Sequence, residues 1–495
     1  MKPSSILLYL LLIGTMVMGI AWVFPDDGIR VTDSWTLQFH WDISSLSGHE
    51  VSYANINTII QENQKLVDQD SLQFLDSTEN APLDTLRAAA NEFKGKIQPI
   101  EYPSGDSSLL LPFFKELDIA HQKRVRVWHY GDSQIEGDRI TGYLRNQFQK
   151  RFGGSGPGLM PVVPAHAESS SILHNSSENW YKHAVYFPSD TILSHRKFGV
   201  LGSFARFTSY QQDSLPQNFN PVTASIEFGR SGMAYQSVNH FNNCHIFYGN
   251  SHSPFLMRGY INDSLIWFEE VDTTTGTKSI QWELEKAPKK FRIEFEGAKS
   301  PDVYGIALDA STGVSVDNLP FRGSAGSEFT RMNQSQFRAM ASNLNPGLVI
   351  FEFGVNVVPY QVKNFDFYER ILTQQLSFLK RTLPDATILV IGVSDMSVRK
   401  GNYFETYPSL LKVLQAQKEA AKNTGCAFWD LYSAMGGKNS MPSWVFAEPP
   451  LASPDFIHFN RQGGHLVAQM LFNALMHEYQ KYRAINNEQL TMSRE

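Results

Sequence analysis

VRVWHYGDSQIEGDRITGYLRNQFQKRF, residues 125–152, decides the reading of the fold. Val125 to Tyr130 is a short run rich in β-branched and aromatic residues that closes on Gly131-Asp132-Ser133. A run of that kind ending in a turn reads as a buried strand of a parallel sheet. Ile135, Ile140, Leu144 and Phe148 then recur near helical spacing. Strand, tight turn and helix make the first unit of an α/β fold. A serine at that junction carries its hydroxyl above the C-terminal edge of the sheet, where open α/β folds take ligands. Its backbone N–H is expected at the start of the helix, where partial positive charge can stabilise an oxyanion. The plainer reading of Ser133 is an N-cap.

Outward from this unit, LLLPFFKELDIAH (109–121) has helical spacing on the N-terminal side. After it the texture changes: VTASIEF (222–228), CHIFYG (244–249), SLIWFEE (264–270), KSIQWEL (278–284) and KFRIEFE (290–296) are short alternating runs between turn residues. Such spacing points to a β-sandwich or jelly roll. Strands return at GLVIFEFG (347–354) and ATILVIGV (386–393), with helices over Phe367–Arg381, Tyr407–Lys422 and Gly463–Tyr479. The fold class is α/β with an all-β domain inserted after the first βα unit, since loop tips tolerate insertions. The segments are 1–25, a membrane anchor or signal peptide; 26–108, a stalk or loosely packed extension with an amphipathic piece around Leu83–Phe93; 109–169, the first α/β part; 170–300, the inserted β-domain; 301–485, the second α/β part; and 486–495, a tail.

Three further elements carry chemistry. In SPDFIHFNRQGG, Asp455 stands three residues before His458. A turn lets that carboxylate accept from the imidazole Nδ1–H, leaving Nε2 to take a proton from a serine. Taken alone, D-x-x-H is more often a capped loop. Asn356, after the strand LVIFEF, can donate its amide into the same crevice, although an Asn there is commonly turn chemistry. Gly323, in DNLPFRGSAG, lets the backbone approach a substrate and offer its N–H, and Gly326 is available for the same part.

Ser133, Gly323, Asn356 and Asp455/His458, each at a strand end and in this order, resemble the blocks of the SGNH or GDSL-like hydrolases. The resemblance spans about 115–165 and 305–480. It implies a flavodoxin-like three-layer fold, Ser133 as nucleophile, His458 as base oriented by Asp455, and an oxyanion hole from the N–H groups of Ser133 and Gly323 and the Asn356 amide. YGDSQIEGDRITGYLRNQFQKRFGGSGPGLMP further resembles the start of peptidoglycan O-acetylesterases, which carry an inserted carbohydrate-binding-like β-domain. FGGSGPGLMP lacks the Lys-Ser/Thr partner of a phosphate loop and reads as loop geometry near the cleft. The implied chemistry is attack of Ser133 on an ester carbonyl and hydrolysis of the acyl-serine by water activated at His458, with neither metal nor cofactor. Transfer of the acyl group to a sugar hydroxyl uses the same residues; a glycan-binding module with a vestigial site is the non-enzymatic alternative.

Other residues read more plainly. Asp132 and Glu136 support the turn and helix start, His129 and Tyr130 pack within the strand, and His465 is a surface or supporting residue of the last helix. Trp267, Phe268, Trp282 and Tyr248 alternate as core residues do, and an exposed subset of them could instead stack on sugar rings. Lys and Arg number 43 against 49 Asp and Glu, a net charge of −6 without runs of one sign, which argues against nucleic-acid binding. Cys244 and Cys426 make no disulfide framework and read as buried thiols. Ile6–Phe24 is 19 residues without a charge, preceded by Lys2 and followed by Asp26 and Asp27. It reads as an uncleaved anchor with the bulk of the chain exported, against a cleaved signal peptide. The expected partners are an acetylated polysaccharide and the membrane.

Overall fold

The computed structural model describes residues 3–23, 29–32, 35–37, 51–63, 97–164, 171–187, 193, 195–213 and 220–492. The expected amphipathic piece at Leu83–Phe93 lies outside them. The chain divides into two units, one of Met1–Ser52 with Arg399–Phe404 and one of the remainder. Within the first, Pro3–Val23 is helical, and Ile29–Thr32 pairs antiparallel with Trp35–Leu37. Among the described residues no helix is long and apolar enough to cross a membrane. The side chains of Pro3, Leu10, Met18 and residues 20–23 lie outside that set.

The second unit contains a six-stranded sheet built from β1 (Ile100–Glu101), β2 (Arg124–Gly131), β3 (Gly313–Pro320), β4 (Pro346–Glu352), β5 (Thr387–Ile391) and β6 (Ala427–Trp429). Its spatial order is β3-β2-β4-β5-β6-β1. The first five of these are parallel, in the flavodoxin-like order, and β1 closes the edge antiparallel to β6. Helices α1 (Leu111–Asp118), α2 (Thr141–Phe152), α3 (Gln334–Leu344), α4 (Asp366–Thr382), α5 (Leu410–Thr424) and α6 (Arg461–Met492) cover it. Phe113, Phe148 and Phe472 knit α1, α2 and α6 together, while Phe337 and Phe378 join α3 to α4. With helices on both faces, the central strands are buried throughout, which is why Val125–Tyr130 reads as a continuous apolar run.

Its two polar intruders are paired inside. Arg126 forks onto Asp317 at 2.7 and 2.8 Å and also contacts Asp309; His129 binds Glu352 at 2.8 Å and Thr141 at 3.0 Å. A buried charge persists only when so paired.

Two antiparallel sheets form the β-rich part, and both contribute to one core in which Ile246, Ile306 and Trp282 of one meet Ile226, Met257 and Phe295 of the other. Its limits differ from the expected 170–300. Gly158–Met160 pairs with Asp302–Asp309, which pairs in turn with Asn243–Ser251, so both outlying segments belong to the β-rich part. Of the aromatics read as core, Trp282 and Tyr248 are buried, but Phe268 is 50 % exposed. Cys244 and Cys426 are buried free thiols.

The stalk reading fails where residues 53–108 are described. Ile56 is buried, and the Asn63 carbonyl accepts from the Gln469 amide at 2.6 Å. β1 is a strand of the main sheet rather than part of a tether. The glycine loop departs from its reading at its start. A Cβ at Gly154 would meet the Val314 backbone at 2.5 Å, so its positive φ serves close packing on the start of β3, the end opposite Ser133.

Candidate active site

Strand register assembles the site. Gly131, the last residue of β2, is flanked by Pro320 of β3 and Glu352 of β4. Ser133, Gly323 and Asn356 follow these three positions within a few residues, on the same edge of the sheet. The ladder continues one step past the strand ends: Phe321 N–H donates to the Gly131 carbonyl at 2.7 Å and Asp132 N–H to that of Glu352 at 3.3 Å. Asp132 is buried and accepts from the Gln134 N–H at 3.0 Å, which closes the turn that presents Ser133. Burial pushes the Asp132 carboxyl up to about 7; the Gln134, Gly354 and Val355 amides pull it down and Glu352 pushes it further up.

The turn does not run straight into a helix. Gly137 and Asp138 both take φ near the left-handed region, at 65° and 66°, and interrupt the chain before α2 begins at Thr141. Ser133 is therefore not at the N-terminus of α2, and that source of positive potential is missing from the expected place. Arg139 reaches back instead and donates to the Ser133 carbonyl at 3.2 Å.

From 325 residues further along, the loop Ser453–Asn460 brings in the imidazole. Its turn is closed by Phe456 N–H donating to the Ser453 carbonyl at 3.1 Å and Ser453 N–H to that of His458 at 2.8 Å. Asp455 Oδ1 accepts from the N–H groups of Ile457 and His458, at 2.9 and 3.0 Å, while Oδ2 lies 2.7 Å from His458 Nδ1. Burial alone would raise the Asp455 carboxyl; the His458 N–H and ring, with the Ile457 N–H, outweigh it and hold it below its ordinary value. His458 Nε2 stands 2.8 Å from Ser133 Oγ. Serine, imidazole and ionised carboxylate thus form one chain of hydrogen bonds, the geometry that lets a serine give up its proton as it attacks.

The two glycines separate by geometry. Gly326 N–H already donates to Ser324 Oγ at 2.8 Å, and a Cβ there would meet Phe351 at 2.8 Å. Gly323, with φ +74°, is exposed and has nothing within 4 Å of where its Cβ would stand. Asn356 Nδ2 donates to the Ser324 carbonyl at 2.9 Å, which ties its side chain to the loop that carries Gly323.

A GDSL-like lipase/acylhydrolase family model matches residues 291–466. The chain carries a GDSL-like acylhydrolase domain. The match holds Gly323, Asn356, Asp455 and His458 but not Ser133, which the β-rich segment separates from it in sequence and β2 restores in space. Among solved structures, a peptidoglycan O-acetylesterase shares 19% identity over 76% of this chain and 98% of its own, with a TM-score of 0.60, a likeness of fold. A putative GDSL-like lipase from Parabacteroides merdae (18%, 33% of this chain and 74% of that one, TM-score 0.26) and a family two carbohydrate esterase from Cellvibrio japonicus (8%, 62% and 99%, 0.24) are also similar in part. None of the curated proteins matches the chain.

One residue beside Ser133 escaped the sequence reading. Gln134 Nε2 donates to the Ile457 carbonyl at 2.7 Å and its Oε1 accepts from the Phe459 N–H at 3.3 Å, so the amide grips the backbone on both sides of His458. Its only sequence signal is its place next to Ser133. His129 and Glu352 form a buried pair beneath the turn, and His465 meets Tyr235 at 3.3 Å on the flank of α6. Among the described residues no cluster of His, Cys, Asp and Glu could hold a metal ion.

Proposed function

We propose that the protein is an exported serine esterase that removes O-acetyl groups from a cell-envelope polysaccharide of the peptidoglycan kind. The acylhydrolase domain supplies the reaction class, and the observation that carries the mechanism is the Ser133–His458–Asp455 hydrogen-bond chain. Ser133 Oγ attacks the acetyl carbonyl as its proton passes to His458 Nε2. The tetrahedral oxygen is received by the N–H groups of Ser133 and Gly323 and the Asn356 amide. A single donor of this kind is worth about 3–4 kcal/mol of barrier. His458 then protonates the leaving sugar hydroxyl. Water activated by the same imidazole attacks acetyl-Ser133, releasing acetate and regenerating the serine. Asp455, held ionised, stabilises the imidazolium formed in both steps.

Anchoring through the N-terminal segment, with the remaining chain outside the cytoplasm, belongs to the same proposal and is supported by the sequence alone, in the uncharged run Ile6–Phe24. The test is acetate release from a panel of O-acetylated polysaccharides, peptidoglycan included, with acetylated glycan measured alongside. Acetate release lost in Ser133→Ala supports the reading; acetyl transfer exceeding hydrolysis overturns it.

A further inference from the structure

Next to the nucleophile turn lies a cavity of about 90 Å³ at the C-terminal end of β3. Gly137, Asn318 and Pro320 form its floor on the acylhydrolase side, and Lys182 and Tyr186 reach in from the β-rich part. Pro320 is the register partner of Gly131, so this cavity lies at the edge of the sheet that carries Ser133. A water needs only about 10–15 Å³ of such space, so the cavity has room for a group several atoms large.

Its charges do not cancel. Arg145 gives its guanidinium to the Asp138 carboxylate at 2.6 and 3.0 Å and its Nε–H to the Val316 carbonyl at 2.7 Å. Glu136 faces Arg322 at 3.7 Å. His174 is held neutral, pushed down to about 4 by burial. Lys182 is partly buried, its backbone pairs with Ala205, and among the described residues its ammonium makes no hydrogen bond or ion pair. Burial lowers its pKa, opposed by the nearby Glu136. Leu159, Met160, Leu201 and Leu319 complete the walls, and such apolar lining strengthens a charge–charge contact made inside.

We infer that this cavity is a subsite for a carboxylate of the glycan, with the Lys182 ammonium as its counter-ion, so that the enzyme prefers esters on acidic sugars. The inference rests on the esterase reading for its use but not for its test. The full-length enzyme is assayed on O-acetylated polygalacturonan and on neutral O-acetylated xylan. In Lys182→Met the ratio of kcat/KM for the acidic over the neutral polymer falls at least tenfold, and Lys182→Arg restores most of it. An equal loss on both polymers, or none, overturns the subsite. In parallel, binding of galacturonate oligosaccharide to Ser133→Ala protein is measured by calorimetry with and without Lys182→Met. A tenfold weakening supports the subsite even if neither polymer is hydrolysed; unchanged affinity overturns it whatever the esterase assay gives.

Discussion

Gln134→Met tests how the base is held. Methionine keeps the length and nearly the volume of glutamine but removes the amide that spans the backbone around His458. The Ile457 carbonyl loses a 2.7 Å bond and the buried Phe459 N–H a longer one of 3.3 Å. A buried group left without its partner costs about 1–3 kcal/mol. Because the second bond is long, the two together come to about 2 kcal/mol. If that loss appears as misplacement of the imidazole in the transition state, kcat falls about thirtyfold at 1.36 kcal/mol per decade. The assay is steady-state hydrolysis of 4-nitrophenyl acetate together with thermal unfolding. A small ester binds little beyond the reacting centre, so the loss is expected in kcat, with KM nearly unchanged. A variant with wild-type kcat, whether or not its Tm drops, refutes a positioning role for Gln134 and leaves only a structural one.

Two other outcomes follow from the buried groups. With its carboxyl raised to about 7, folded Asp132 holds a proton that the unfolded chain releases near pH 4. The native state thus binds more protons between these values, and stability falls as pH rises from about 4 to 7, by at most 1.4 kcal/mol per unit for one group. Urea unfolding across this range gives a shallower fall for Asp132→Asn; an unchanged slope counts against the burial account. Some slope survives because Asp395, pushed up to about 6 by burial, acts in the same sense. Gly326→Ala combines a left-handed backbone, about 1–2 kcal/mol for an L-residue, with the contact on Phe351, and lowers Tm more than Gly323→Ala, whose Cβ enters open space. Equal losses of Tm contradict the distinction between them.

Sequence patterns revealed most of the scaffold because its central strands obey a simple rule. Val125–Tyr130 and Leu348–Phe353 are covered on both faces, so their apolar runs need no partner to be recognised. GVSVDNLP, which forms β3, escaped because Asp317 and Asn318 sit in its middle, and their partners Arg126 and Thr141 are remote in sequence. Gly158–Met160 is too short to carry a period, so the limits of the β-rich part depend on a pairing visible only in space. In the site, Ser133, Asn356, Asp455 and His458 were legible as residue types after turns. The choice between Gly323 and Gly326 was not, because it turns on whether one N–H is already engaged. Gln134 was invisible for the same reason: its meaning lies in two backbone groups 323 and 325 positions away. The break at Gly137 and Asp138 was hidden in a stretch whose apolar spacing looked helical throughout.

The most direct examination of the mechanism is mass spectrometry of enzyme quenched in acid during turnover of an aryl acetate. One acetyl group on the peptide that contains Ser133, absent from Ser133→Ala, is the expected result. Acetyl label on a different side chain, or aryl acetate turnover by Ser133→Ala at the wild-type rate, would contradict it.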